Sequence, residues 1–405
     1  MDQSRYFHLY QTKAAHDADY ARSSANYIEP WVGYVTATEE VSYNLPPCGE
    51  PCEYLTFTAL ESGTFSLTLQ AKVTVEAVSS VSYSIDDGET WTTTNNVTGS
   101  EVVITTPTIS QGESVLWKAN AVQFTVNSDD YPGGNFGKSY FSSTGNFNIS
   151  GNMLSMLYGD DFQGKTSFKT LISNGYTAGT FGNLFYGATH LVDASHLVLS
   201  PNVLTNNCYA NMFYGCTSLT TAPELPATTL ATACYNGMFN SCSALTNAPE
   251  IQATTLVSSC YYYMFHGCTS LTTAPALPAT TLAQSCYGSM FGGCTGLTTA
   301  PSLQATTLSR DCYNSMFYGC TSLTTAPELP ATTLVTGCYS QMFNNCTRLN
   351  YIKAMFTTTP STSYTASWLN NVKSTGTFVK NSAAEWDVTG ANGIPSGWTV
   401  QTASE

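Results

Sequence analysis

CYANMFYGCTSLTTAPELPATTLATA (Cys208–Ala233) runs straight into a second version of itself, CYNGMFNSCSALTNAPEIQATTLVSS (Cys234–Ser259). The shared pattern is C-Y-x-x-M-F-x-x-C-x-x-L-T-x-A-P-x-[LI]-x-A-T-T-L followed by three free positions, 26 residues in all. Its first cysteine recurs at Cys208, Cys234, Cys260, Cys286, Cys312 and Cys338, and its second at Cys216, Cys242, Cys268, Cys294, Cys320 and Cys346. Met212, Met238, Met264, Met290, Met316 and Met342 keep the same step, each followed by Phe. A fixed period in this range marks a solenoid, a propeller or an array, and 26 residues is too short for a propeller blade. One turn of a solenoid is the expected reading.

One unit offers too few apolar residues to close a core. Stacked units bury them as columns, each coil shielding its neighbours. From Cys208 to Cys216 the apolar positions fall at i, i+4, i+5 and i+8, which predicts a short helical turn. Leu219–Ala222, β-branched and closed by Pro223, predicts a short strand. Six such coils at strand spacing give a rod of about 30 Å.

The strings MFYGCTSL (Met212–Leu219), MFHGCTSL (Met264–Leu271) and MFYGCTSL (Met316–Leu323) resemble the BspA-like class of leucine-rich repeat. That resemblance covers about half the chain. It implies a right-handed parallel solenoid of the kind found on surfaces that meet other cells, and it brings no catalytic residues. The inserted A-T-T-L segment makes this period a few residues longer than the family's.

The expected fold is mainly β with short helices, in four parts. Residues 1–52 form an N-terminal attachment arm. Residues 53–149 form a small antiparallel, immunoglobulin-like β-sandwich, residues 150–356 the solenoid with an N-terminal cap, and residues 357–405 a C-terminal cap. The sandwich follows from alternating segments around Leu55–Thr58, Thr64–Leu69, Val73–Val75, Val81–Ile85, Glu101–Ile104 and Ser114–Lys118, with turns at Asp86–Gly88 and Gln111–Gly112. Tyr83 and Trp91 are expected to pair across the first turn, and that turn rather than calcium accounts for Asp86 and Asp87. Met153–Tyr158 is expected to cover the first coil. Gly182–Leu191 is a degenerate repeat with Ala188 in the cysteine slot, set off from the regular block by two extra residues. After Cys346 the period fails.

In the arm, YFHLYQTKAAHDADY followed by YIEPWVGYV resembles the opening of structural proteins from phages of gut Bacteroidetes, in which this end attaches to the particle. The resemblance makes Tyr6, Tyr10, Trp31 and Tyr34 candidates for virion attachment and other virion proteins the expected partners. A terminal arm packed on the next domain is the plainer alternative.

Composition narrows the function. Charged residues are 10% of the chain and the net charge is −14, which argues against a nucleic-acid partner. Between Cys208 and Asn345 the charges are Glu224, Glu250, Arg310, Asp311 and Glu328 alone. The opening residues carry no apolar signal core, and no run is long enough to span a membrane. The expected location is therefore a virion surface, reached from the host cytoplasm without a signal peptide. A bacterial surface protein of this repeat class is expected to begin with such a signal.

The C-x7-C spacing of the repeat is not that of zinc sites. Corresponding cysteines of adjacent coils come within disulfide range at strand spacing, and buried free thiols acting as small apolar ladder residues are the favoured alternative. Cys48 and Cys52 fit a plain loop better than a strained bridge or half a metal site. None of His8, His16, His190, His196 and His266 sits in a nucleophile, metal or acid–base motif. No enzyme, cofactor or metal is expected.

Positions that vary between coils are the pairs before each Met: Ala210-Asn211, Asn236-Gly237, Tyr262-Tyr263, Gly288-Ser289, Asn314-Ser315 and Ser340-Gln341. Variation predicts exposure, and repeat proteins bind through exposed rows. Tyr214, Tyr262, Tyr263, His266 and Tyr318 are the candidate binding surface, with rings to stack on sugars or peptides. The plain alternative is ordinary surface packing. A host-surface glycan or protein is the expected ligand, and lateral association into a homo-oligomer is expected from the low charge. A bacterial cell-surface adhesin and a purely structural decoration protein are the alternatives.

Overall fold

In the computed structural model the backbone divides between facing sheets and stacked coils. It describes residues 53–69, 78–95, 97, 101–122, 124–126, 137–169, 179–199 and 204–403. The attachment arm and Val73–Val75 therefore lie outside the described residues.

The first strands follow the alternating segments. They are β1 (Leu55–Ala59), β2 (Phe65–Leu69), β3 (Val78–Ser84), β4 (Thr92–Asn95), β5 (Val102–Thr105) and β6 (Ser114–Ala121). After them come β7 (Thr125–Val126), β8 (Gly137–Lys138), β9 (Tyr140–Ser143), β10 (Phe147–Asn152) and β11 (Leu191–Val198). One sheet has the order β11-β10-β1-β6-β3-β4 and a second the order β5-β2-β9, while β7 pairs β8 alone. The two larger sheets face each other through Phe57, whose ring lies 5.5 Å from Phe65 and 4.8 Å from Phe141. Burial of such aromatic pairs is the main driving force for this layer.

The Asp86–Gly88 turn forms as expected, with Asp87 and Gly88 at φ 53° and 87°. The cross-hairpin pair does not. Tyr83 lies opposite Thr92, one residue beyond Trp91. A one-residue shift sends a side chain to the other face. Trp91 packs on Tyr54 at 5.0 Å, whereas Tyr83 packs on Trp117 at 5.5 Å.

A short helix, α1 (Ser155–Tyr158), follows β10. Its Ser155 Oγ accepts from Leu55 N at 3.0 Å and donates to Trp117 O at 3.2 Å, which ties the helix to the six-stranded sheet. Met153 N donates to Val198 O at 3.2 Å, fixing the same segment to β11.

The change of architecture comes at β11. Every other pairing of the six-stranded sheet is antiparallel, but β10 and β11 run parallel. From β11 a parallel ladder continues by single bridges, Asp193 to Thr221, Thr221 to Asn247, Asn247 to Thr273 and Thr273 to Thr299, and further on Thr325 to Tyr351. It then broadens into β12 (Tyr351–Ala354), β13 (Thr377–Lys380) and β14 (Thr399–Thr402). The expected strand at Leu219–Ala222 is thus reduced to one bridging residue per coil, because Pro223 has no N–H to extend it.

The expected helical turn in each repeat is absent. Ala210, Met212, Tyr214 and Cys216 donate back three residues, to Asn207, Tyr209, Asn211 and Phe213, at 3.1 to 3.2 Å. The intervening Tyr209, Asn211, Phe213 and Gly215 donate forward to Cys234, Asn236, Met238 and Asn240 of the next coil, at 2.8 to 3.0 Å. Alternate N–H groups therefore shape one coil and bind the following one. Every fourth residue is left-handed to permit this, as at Asn207 (φ 56°), Asn211 (φ 54°) and Gly215 (φ 72°). An α-helix tolerates no such run of positive φ.

Two aromatic columns run through the stack. Phe185, Phe213, Phe239, Phe265, Phe291, Phe317 and Phe343 stack at 5.4 to 5.8 Å within 10° of parallel. Tyr209 to Tyr339 form the second at 5.8 to 6.0 Å. Both begin before the regular block: Phe141 of β9 stacks on Phe185 at 5.5 Å and Phe181 on Tyr209 at 5.9 Å. The two extra residues before Cys208 show as a 28-residue step from Tyr186 to Tyr214, whose rings still stack at 4.7 Å.

In residues 357–405, expected as a cap, the inter-coil bonds go on past Cys346. Phe343 N donates to Trp368 O at 2.9 Å and Gln341 N to Ala366 O at 2.8 Å, the pattern of every earlier repeat. Trp368 stands next to Tyr339 at 6.4 Å and takes over from the lost Cys-Tyr-Met-Phe set. Trp368 Nε1 donates to Gly393 O at 2.9 Å.

Candidate functional site

Each repeat offers two cysteine columns, and both are fully enclosed. All twelve repeat cysteines are free and buried. In the second column Sγ donates to the Phe carbonyl of the preceding coil: Cys242 to Phe213, Cys268 to Phe239, Cys294 to Phe265, Cys320 to Phe291 and Cys346 to Phe317, at 3.0 to 3.1 Å. Desolvation pushes the thiols up, to about 12 at Cys234, Cys294 and Cys346 and to about 11 at Cys286 and Cys338. At neutral pH they are thiols, poor as nucleophiles and as metal ligands. Among the described residues no group of His, Cys, Asp and Glu is arranged to hold a metal ion. Cys48 and Cys52 lie outside the described residues, as do Tyr6, Tyr10, Trp31 and Tyr34.

One constellation invites an enzyme reading. Ser195 Oγ lies 3.1 Å from Asp193 Oδ2 and 3.0 Å from His196 Nδ1. A catalytic triad needs the imidazole between hydroxyl and carboxylate. Here the hydroxyl lies between the other two, so the contacts orient a strand edge instead. Asp86, in its hairpin, is likewise a turn residue. Hydrogen bonds from Ser84 and Thr90 hold its carboxyl down to about 2.

The five candidate residues fall on one tract of the coils. Tyr262 and Tyr263 meet edge to face at 4.4 Å, and Tyr263 lies 5.1 Å from His266. Tyr214 is one coil step before Asn240, two before His266 and four before Tyr318, and its own ring is stacked on Tyr186. Tyr318 is 37% exposed, the others half-buried. Asn345 Nδ2 donates to Tyr318 Oη at 2.9 Å and steadies that ring. Burial pushes the His266 imidazole down and the Tyr262 hydroxyl up to about 12. Both are neutral at physiological pH.

The exposure expected of the variable pairs is only partly met. Gln341 is exposed, but Gly237, Gly288 and Ser289 are buried and the rest half-buried. The rings explain part of this. A Cβ on Gly288 would come within 2.7 Å of the Tyr262 ring, and one on Gly292 within 3.1 Å of His266. The Tyr262–His266 cluster therefore lies down on a coil that has given up its side chains. The variable pairs include Gly288, but the period gives no sign that Gly288 and Gly292 make room for rings, nor that Tyr186 and Asn345 support them. Tyr186 was visible in the degenerate repeat, but partners such as Asn345 depend on side-chain direction.

Residues 182–298 and 277–382 match the family model for the BspA type leucine rich repeat region, six copies in all. The repeat half of this chain is a BspA-type leucine-rich repeat region. Comparison with curated proteins and with solved structures gives no match. The BspA-type match begins at Gly182, at the degenerate coil, and runs to Ser382, past the last cysteine. Its extent agrees with the backbone ladder better than with the cysteine period. A repeat of this type suits surface adhesion and protein interaction, since it holds an uncharged face rigid across many coils.

Proposed function

We propose that the protein is a non-enzymatic adhesive appendage whose BspA-type stack presents Tyr214, Tyr262, Tyr263, His266 and Tyr318 to a host surface. The observation that carries this reading is the division within each coil. Buried columns repeat without change, while one ring-bearing tract differs from coil to coil on a scaffold that cannot flex independently. The paired sheets then act as a spacer and the coils as an adhesive solenoid.

Within this reading we assign the chain to the exterior of a bacteriophage particle, as a head or tail fibre or appendage. Residues 1–52 are the attachment arm to other virion proteins, and the ligand is a host-surface glycan or protein. Support comes from the resemblance of the Tyr6–Tyr10 and Trp31–Tyr34 stretches to phage structural proteins. A bacterial cell-surface adhesin is the second reading, favoured by the BspA-type repeat itself.

Adherence of the purified chain to whole cells tests the adhesive role. Saturable binding that falls when Tyr262 and Tyr263 are both changed to Ser is expected. A chain that binds no cell surface, but whose deletion stops particle assembly, would make the protein a structural decoration instead.

A further inference from the structure

Tyr214, Asn240, His266, Gly292, Tyr318 and Asn344 occupy one slot in six successive coils, so from Tyr214 onward a ring stands in every second coil; Tyr186 holds the same slot one coil earlier and stacks on Tyr214. Their alignment is fixed by the backbone. Gly215 N donates to Asn240 O, Ser241 N to His266 O, Gly267 N to Gly292 O, Gly293 N to Tyr318 O and Gly319 N to Asn344 O, at 2.6 to 2.8 Å. The donors in this set are themselves a row, left-handed at φ 62° to 73° and bare of any side chain larger than serine. A ring-bearing line thus runs beside a smooth strip of backbone. We propose that this line is a track for a neutral, linear polysaccharide lying along the stack, one disaccharide to each pair of coils; the inference rests on the adhesive reading above.

The spacing selects the ligand. Two coils of a parallel ladder span about 10 Å. An extended chain of equatorially linked pyranoses turns alternate rings over and repeats on that length scale. Every second sugar then brings the same apolar face toward His266 and Tyr318 and, at the first end of the line, toward the stacked pair of Tyr186 and Tyr214. An extended peptide returns a side chain to one face every ~6.7 Å and falls out of step. A polyproline helix, at about 9.3 Å per turn, comes nearer in length, but it offers carbonyls alone. Asn240 and Asn344 bring both donors and acceptors to the intervening coils, which suits hydroxyl groups.

Charge selects further. Arg310 is the only Lys or Arg between Cys208 and Asn345, and its Nε is paired with Asp311 Oδ2 at 3.2 Å. With no free cation on the track and a net charge of −14, uronate, sulfate or phosphate groups would be desolvated without compensation. The polysaccharide is therefore a neutral one.

Calorimetry of the intact chain against beta-1,4-linked glucose, N-acetylglucosamine and mannose oligomers of two to eight units tests the track, with decaproline as the competing probe. At least one series is expected to gain affinity in two-sugar steps and level off at roughly six units, one disaccharide for each ring at about 10 Å per coil pair. Tyr318→Ala is expected to weaken the hexamer by about three- to tenfold with an unchanged melting temperature, and to move the plateau to roughly four units. Changing Tyr186 and Tyr214 together to Ala is expected to shorten the plateau from the other end, with a lowered melting temperature because the two rings stack. No length-dependent binding by any series, or tighter binding of decaproline, overturns the inference. If the chain still adheres to cells in a Tyr214- and Tyr318-dependent way, the adhesive reading survives that failure. If it adheres to none, both fall.

Discussion

Cys242 Sγ donates to the carbonyl of Phe213, 3.1 Å away in the preceding coil, and the same bond recurs down the second cysteine column. That carbonyl already accepts Cys216 N at 3.1 Å, so the thiol fills its second lone pair. A leucine or valine in this slot would pack, but it would leave the acceptor half-used. The first column differs. Among the described residues its one such bond is long, from Cys338 Sγ to Tyr364 O at 4.0 Å.

The two columns should therefore answer differently to the same substitution. Cys268→Ser keeps a donor for Phe239 O, whereas Cys260→Ser buries a hydroxyl with no carbonyl in that role. Cys268→Ala is expected to cost about 1–3 kcal/mol from the lost bond and the void. Urea unfolding should rank Cys268→Ser as the milder serine variant by about 1 kcal/mol or more. Equal losses would mean that the thiol hydrogen bond contributes nothing.

Thiol reactivity follows from the same burial. With Cys286 held up to about 11 and Cys234 to about 12, iodoacetamide at pH 8 should leave the repeat cysteines unlabelled in the folded chain. In guanidinium all twelve should react. Mass spectrometry of peptic peptides counts them, and rapid labelling of either column without denaturant would contradict the enclosed stack.

Much of this was legible in the sequence, and the failures have a common cause. The period, the buried columns and the sheet strands could be read because they depend on which residues are apolar. The turn between Cys208 and Cys216 could not. Apolar groups at i, i+4, i+5 and i+8 fit one face of a helix and also fit consecutive four-residue turns. What separates the two is a left-handed residue at every fourth position. Gly215 and Gly267 advertise that, but Ala233 and Tyr263 do not. The coil through Trp368 carries no such signal either, since it keeps the backbone bonds and changes every signature side chain. In the candidate site the shared slots of the five rings could be read from the period, yet which of them touch was beyond any periodicity.

Backbone conformation can be tested apart from packing. A Cβ on Gly215 would meet nothing closer than Gly187 at 3.8 Å, so Gly215→Ala is penalised only through its φ of 72°. A loss of about 1 kcal/mol is expected. Gln341, exposed at φ 52°, should gain by a similar amount on change to Gly. Thermal melts of the two variants should move in opposite directions.

His266 gives the tract a pH signature. Burial lowers its folded pKa below the unfolded value of about 6.5. The folded state thus resists protonation, and the contribution is intact above the unfolded pKa and lost as pH falls through the folded one. The wild type should lose more stability between pH 7 and pH 5 than His266→Asn, which takes the residue found in this slot at Asn240 and Asn344. Parallel pH profiles for the two proteins would contradict the burial of that ring.

Display on an exterior surface is the central claim, and locating the repeat on intact structures tests it most directly. A Fab raised against the Cys208–Cys346 stack would be used to label purified phage particles and host cells for electron cryo-microscopy. The account predicts Fab density projecting from the outside of the particle, with the stack held away from its attachment point. Density on the host envelope instead would transfer the adhesin to the cell. Label confined to the cell interior, with particles and envelope both bare, would contradict the adhesive account altogether.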